Sequence, residues 1–199
     1  MTMNSDTGRT LGNFMGALKH NGVRVTLAGG AMRDITMGRT PRDFDLWVLG
    51  STFDFDAVSE ALRDVRSLYD VEVACKEVYG GTYPNGDGEE AENLRDRLDY
   101  VMKLKVDDVD IDVIWAHGPD GELFETADDV LDTFDFSLNQ VALTFSKGVP
   151  EVTSRFDGRT VKCNCKDVRK SRYEYLQEKF PELDWSEVAA FYQGEGAAL

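Results

Sequence analysis

Apolar side chains recur along this chain with two periods, and the changeovers between them mark out its elements. Between Thr10 and His20, Leu11, Phe14, Met15 and Leu18 fall at helical spacing, which predicts an amphipathic helix stopped by Asn21-Gly22. Val23 to Leu27 alternates as a strand, Ala28-Gly29-Gly30 breaks it, and Ala31 to Met37 predicts a short helix ended by Gly38. Asp43 to Val48, entered through Pro41, reads as a second strand. Asp56 to Leu68 carries Val58, Ala61, Leu62, Val65 and Leu68 on one helical face, and Val71 to Val78 forms a third strand. Gly80 to Glu92, rich in Gly, Asp and Glu and holding Pro84, predicts a loop. Tyr100 to Val106 and Val109 to Trp115 both alternate and are joined by Asp107-Asp108, which predicts a hairpin. Beyond it the pattern predicts a helix over Leu123 to Leu131, strands over Gln140 to Phe145 and Glu151 to Ser154, a helix over Asp167 to Phe180, and a last helix from Asp184.

Strands and helices mix without a regular βαβ period, so the expected class is α+β, a mixed β-sheet flanked by helices with a short C-terminal helical appendage. A length of 199 residues suits one compact domain, expected over 1–158, with the appendage over 159–199. No apolar run approaches the roughly 18 residues that span a bilayer, and the N-terminus lacks the basic and apolar regions of a signal peptide, so the expected location is the cytoplasm. Cys75, Cys163 and Cys165 suit free thiols in a reducing compartment, and Cys163-x-Cys165, without a nearby histidine, reads as strand alternation and not as a zinc site.

Charge narrows the possible partners. A formal net charge of −15 argues against extended DNA binding, because surfaces that embrace nucleic acid gain affinity by displacing counterions from phosphates. The exception is local: between Arg159 and Lys179 seven basic side chains outnumber three acidic ones.

The candidate chemistry lies in the acidic strands. Asp43 and Asp45, one residue apart on a strand, project from one face, with Phe44 and Leu46 on the other. Two carboxylates sharing a small space resist joint ionisation unless cations hold them, and Mg²⁺ takes one or two carboxylates together with phosphate oxygens. An acid-x-acid pair is common in so acidic a chain. Asp54 and Asp56 precede a helix and read as capping, whereas Asp110 and Asp112 lie in an apolar strand. If that strand lies beside the Asp43 strand, one of its two acids completes a three-carboxylate site for two metals, which sit about 4 Å apart in such sites. Alternation gives Asp110 and Asp112 the same face and does not separate them. Gly29 and Gly30, between a strand and a helix N-terminus, form either a tight turn or a place where a phosphate chain approaches the backbone.

Taken together, Leu27-Ala-Gly-Gly-Ala-Met-Arg-Asp-Ile-Thr-Met-Gly-Arg-Thr-Pro-Arg-Asp-Phe-Asp-Leu46 resembles the opening motif of the polymerase β-type nucleotidyltransferase superfamily, closest to the head domain of bacterial poly(A) polymerases and tRNA CCA-adding enzymes. Gly29, Gly30, Arg33, Asp34, Gly38, Asp43 and Asp45 fill the motif's places. Downstream, Asp135-Phe-Ser-Leu-Asn139 is similar to the family's second motif, after an acidic helix. The resemblance implies an NTP substrate and two Mg²⁺ or Mn²⁺ ions held by Asp43, Asp45 and Asp112. It also implies Gly29 and Gly30 at the phosphates, and Arg33, Asp135 and Asn139 near the nucleotide.

Two departures matter. The paired arginines that usually precede the second motif's Asp are replaced by Thr133-Phe134, so Arg42, Arg169 and Arg172 become the candidates for triphosphate contacts. Lys166-Asp-Val-Arg-Lys-Ser-Arg172 is only loosely similar to the base-selecting neck segment, so no base preference carries over. With the chain ending at Leu199, the resemblance points to a small stand-alone head domain like those of phages and bacterial conflict systems, acting in a bacterial or phage-infected cell. Its acceptor would be an RNA end, a protein or a small molecule. The competing reading is a non-catalytic relative, an inhibitor or regulatory subunit that works through its acidic surface.

Overall fold

The structure, a computed structural model, describes residues 5–52, 54–76, 98–118, 120–146, 149–164 and 168–195. The sequence-predicted loop Gly80–Glu92, together with Cys165 and Lys166, lies outside the described residues.

Helix α1 (Ser5–His20) begins five residues before the predicted Thr10, its added turn solvent-facing and carrying an Asp6–Arg9 ion pair of 3.6 Å. Strand β1 (Arg24–Ala28), helix α2 (Gly30–Thr36), strand β2 (Phe44–Leu49), helix α3 (Phe55–Arg66) and strand β3 (Val71–Lys76) follow. The α3 cap is Asp54, whose carboxylate accepts from the Ala57 N–H at 3.0 Å. Strands β4 (Leu98–Val106) and β5 (Val109–Ala116) form the predicted hairpin, with Asp107 in the left-handed region at φ 51°. Helix α4 is only Ala127–Leu131, shorter than the predicted Leu123–Leu131. Thr126 and Asp129 form a reciprocal capping box that starts the helix at Ala127, while Leu123 bridges back to His117. A 3-10 turn (Ser137–Asn139), strands β6 (Val141–Ser146) and β7 (Val149–Ser154), and helices α5 (Lys170–Lys179) and α6 (Ser186–Glu195) complete the order.

The strands make one mixed seven-stranded sheet, ordered β3-β4-β5-β2-β1-β6-β7. β2 and β5 pair in parallel, and the other neighbours are antiparallel. Alternation along the strands divides the apolar side chains between two cores. On one face Phe44, Leu46 and Val48 of β2 join Met102, Leu104, Ile111 and Val113, covered by α1, α2 and α3. Tyr173, Leu176 and Val188 of α5 and α6 belong to the same cluster, so the C-terminal helices share their core with the sheet. On the other face Trp47 and Leu49 gather with Val101, Ile114, Phe124 and Leu131 in a smaller core. Among the described residues no helix is long and apolar enough to cross a membrane.

Candidate active site

The parallel β2–β5 pair sets the geometry. Asp45 lies opposite Asp112, and β4 brings Lys103 opposite Asp112 from the far side. All three stand on the smaller-core face, each next in its row to an apolar residue of that core: Trp47, Ile114 and Val101. Asp110 lies at the hairpin end, exposed and opposite Lys105. Asp112, and not Asp110, is therefore the acid that meets Asp45.

Each outer carboxylate already holds a cation. Lys103 Nζ donates to Asp112 Oδ2 in an ion pair, and Arg42 donates to Asp43 Oδ2 from Nε at 3.2 Å and Nη2 at 2.8 Å. Asp45 sits between them. Burial first, then the charges of Asp112 and Asp43, push its carboxyl from 3.8 up to about 7, against the opposing pull of Lys103 and Arg42.

An all-carboxylate donor set suits a hard divalent ion, and a carboxyl resisting ionisation between two others is what such an ion relieves. The donor chemistry fits Mg²⁺ or Mn²⁺. Among the described residues, however, no three acidic, histidine or cysteine side chains converge as a metal-holding group. The outer two are bonded to the chain's own cations.

Lys103 was absent from the candidates read in the sequence, although its position was encoded there. A two-residue turn at Asp107-Asp108 fixes the antiparallel register, and counting outward from it brings Lys105 to Asp110 and Lys103 to Asp112.

The glycine turn lies beside this row, where β1 hands over to α2. Gly29 has φ 85° and ψ −134°, a conformation open essentially only to glycine, and its N–H donates to the Val141 carbonyl at 3.3 Å. Phe134 lies against it and packs edge-on to Trp47 at 5.8 Å between centroids. Among the described residues, Trp47 Nε1 is a buried donor without a partner.

The remaining motif residues bond to one another. Arg33, only 9% exposed, donates from Nε to Asp34 Oδ1 at 2.8 Å and from Nη1 to Asn139 Oδ1 at 2.9 Å. Asn139 Nδ2 donates to Asp135 Oδ1 at 3.1 Å, and Arg172 of α5 pairs with the same carboxylate. Lys179, at the far end of α5, closes the chain on Asp34 Oδ2 at 3.1 Å. The two sequence motifs thus meet as one polar network that holds α5 at both ends. Arg169 is the N-cap residue of α5, half-buried, and Lys170 pairs with Glu174 at 3.8 Å.

This sheet, with its carboxylate row at the β2–β5 pair, is the nucleotidyltransferase fold. No protein-family model matches the chain, and no curated protein matches it. Among solved structures, a CCA-adding enzyme in complex with ATP superposes with a TM-score of 0.61 at 13% identity, over 94% of this chain and 42% of that one. A tRNA-processing enzyme in an apo form gives 0.59 at 16% identity, over 89% and 46%. The Bacillus stearothermophilus CCA-adding enzyme in complex with CTP gives 0.50 at 14% identity, over 88% and 38%. At these identities the likeness is one of fold, and the chain spans less than half the length of each structure.

Proposed function

We propose that this chain is a nucleotidyltransferase that moves a nucleoside monophosphate from an NTP to a hydroxyl on an RNA end, a protein or a small molecule. The observation that carries the reading is Asp45 paired with Asp112 across parallel strands, with Asp43 beside them, on a fold shared with a CCA-adding enzyme solved with ATP. The acceptor oxygen forms a bond to the α-phosphorus, the bond from that phosphorus to the bridging oxygen breaks, and pyrophosphate leaves.

Divalent ions, Mg²⁺ or Mn²⁺, held by Asp43, Asp45 and Asp112, supply charge stabilisation for the attacking and leaving oxygens when bound. The chain's own part is mostly positioning. The sheet fixes Asp45 and Asp112 on adjacent strands, and a carboxylate of that row takes the acceptor's proton. Arg42, exposed at the entrance to β2, is free to turn from Asp43 to a phosphate. The Gly29-Gly30 backbone at the start of α2 borders the triphosphate, although the Phe134 ring fills the side-chain space at Gly29, and Arg169 and Arg172 on α5 are the further cations.

The test is incubation with each labelled NTP, Mg²⁺ or Mn²⁺ and a cell extract, followed by separation of RNA, protein and small molecules. Label transferred to one acceptor class by the parent, and not by Asp43→Asn/Asp45→Asn, is the expected result. Asp112→Asn should lose more metal-dependent NTP binding than Asp110→Asn. Metal-dependent NTP binding that survives the Asp43/Asp45 double change refutes the assignment.

A further inference from the structure

The geometry points to Lys103 as a built-in competitor of the divalent ion, one that keeps Asp112 occupied until a metal-bound triphosphate arrives. This rests on the nucleotidyltransferase reading above and adds to it an order of loading. The ammonium and a divalent ion need the same Asp112 lone pairs, and only one of them can have them.

Lys103 is well placed for this task. Its neighbours Met102 and Leu104 are buried in the larger core, so the backbone is fixed, while the flexible four-carbon stem gives Nζ a reach of several ångströms. The Lys103 and Asp112 side chains are 42% and 20% exposed, against 91% and 46% for Arg42 and Asp43, so the Lys103–Asp112 pair is the less screened of the two. Of the two ion pairs in the row, Lys103–Asp112 is the harder for a metal to displace.

Charge decides when the displacement occurs. Three carboxylates facing two cations offer a lone divalent ion a net charge of only about −1, a weak attraction in a half-buried site. A triphosphate brings several negative charges of its own. Lys103 then gains an alternative anion within reach, Asp112 is released to the metal, and metal and nucleotide bind together.

The experiment measures Mn²⁺ binding by the loss of the free-ion electron paramagnetic resonance signal, with and without a non-hydrolysable NTP analogue. It compares the parent, Lys103→Met, Lys103→Gln and Lys105→Met, with the glutamine variant present in case the methionine variant fails to fold. The expected result is that Lys103→Met or Lys103→Gln binds Mn²⁺ alone at least tenfold more tightly than the parent. Adding Asp112→Asn should abolish that gain, and Lys105→Met should stay within about twofold. The dependence of Mn²⁺ affinity on the NTP analogue should shrink in the Lys103 variants. If the parent binds Mn²⁺ with the analogue but the Lys103 variants gain nothing alone, the competitor role is wrong and the nucleotidyltransferase reading stands. An equal gain in Lys105→Met also overturns it, as a general charge effect. If no variant binds Mn²⁺ even with the analogue, both readings fall.

Discussion

The ring of Phe134 lies across the side of Gly29 on which any other residue would carry a Cβ, with ring carbons 3.0 and 3.1 Å from that position. Two penalties therefore coincide at Gly29. An alanine there has to accept φ 85° and also has to push back a ring held edge-on to Trp47. The backbone penalty alone is about 1–3 kcal/mol. Gly29→Ala is expected to lower unfolding free energy by roughly 2–4 kcal/mol in urea titrations, and Phe134→Leu in the same chain to restore part of it, since only the steric share is relieved. Equal stability of the alanine variant and the parent is the outcome that contradicts this picture.

The elements were legible because each core-facing strand keeps its period. Phe44, Leu46 and Val48 on one side and Asp45, Trp47 and Leu49 on the other are written directly into β2. The meeting of Asp45 and Asp112 was legible only as a condition, because which strands neighbour each other is decided by the whole sheet. Alternation alone left Asp110 and Asp112 equivalent, and the parallel register separates them. The roles of Arg33 and Asn139 were harder still. Nothing in spacing says that two motifs more than a hundred residues apart hydrogen-bond to each other in the interior.

The Arg33 network predicts a stability effect that activity data alone would misread. Removing a buried partner leaves its charged neighbours desolvated and unpaired, at a cost of about 3–5 kcal/mol. Arg33→Ala should fall at or below the low end of that range, because Asn139 loses its donor while Asp34 keeps its pairing with Lys179. Arg33→Lys should fall between, since an ammonium on a single stem does not reproduce the two-pronged guanidinium. Urea unfolding of the three proteins checks the order. A loss below about 1 kcal/mol in Arg33→Ala would mean that the network positions α5 without stabilising it.

Arg172 is held by Asp135 and has to leave it to meet a phosphate. If Arg169 and Arg172 hold an RNA end or the triphosphate, replacing both by Ala weakens that binding. The affinity of the parent should then fall with salt on a shallow slope of about −0.7 per phosphate contacted on a single strand. Asp135→Asn, which frees Arg172, is expected to strengthen RNA binding severalfold at low salt. Fluorescence anisotropy over a salt series measures all three. Affinity that ignores both salt and the arginine changes assigns the strip to the solvated surface and favours a protein or small-molecule acceptor.

Asp45 makes stability depend on pH in an unusual sense for a carboxyl group. Its folded value is pushed up to about 7 from 3.8, by burial before the charges of Asp112 and Asp43. Between those two values the folded chain holds a proton that the unfolded chain has released, so ν_U − ν_N is negative and stability falls as pH rises. The stabilisation is fully present below about 3.8 and is lost as pH passes through about 7. For one proton the slope in that window is at most about 1.4 kcal/mol per pH unit. Asn imitates the protonated acid and does not titrate, so Asp45→Asn should match the parent only below about 3.8, already exceed it at pH 5, and exceed it by a growing margin up to about 7. The comparison has to be made in chelator, because a divalent ion bound to the carboxylates favours the ionised form and reverses the sign. Urea unfolding of both proteins across this range provides the measurement. If parent and variant keep a constant difference from pH 5 to 8, Asp45 is ionised throughout, and its neighbours Lys103 and Arg42 outweigh its burial.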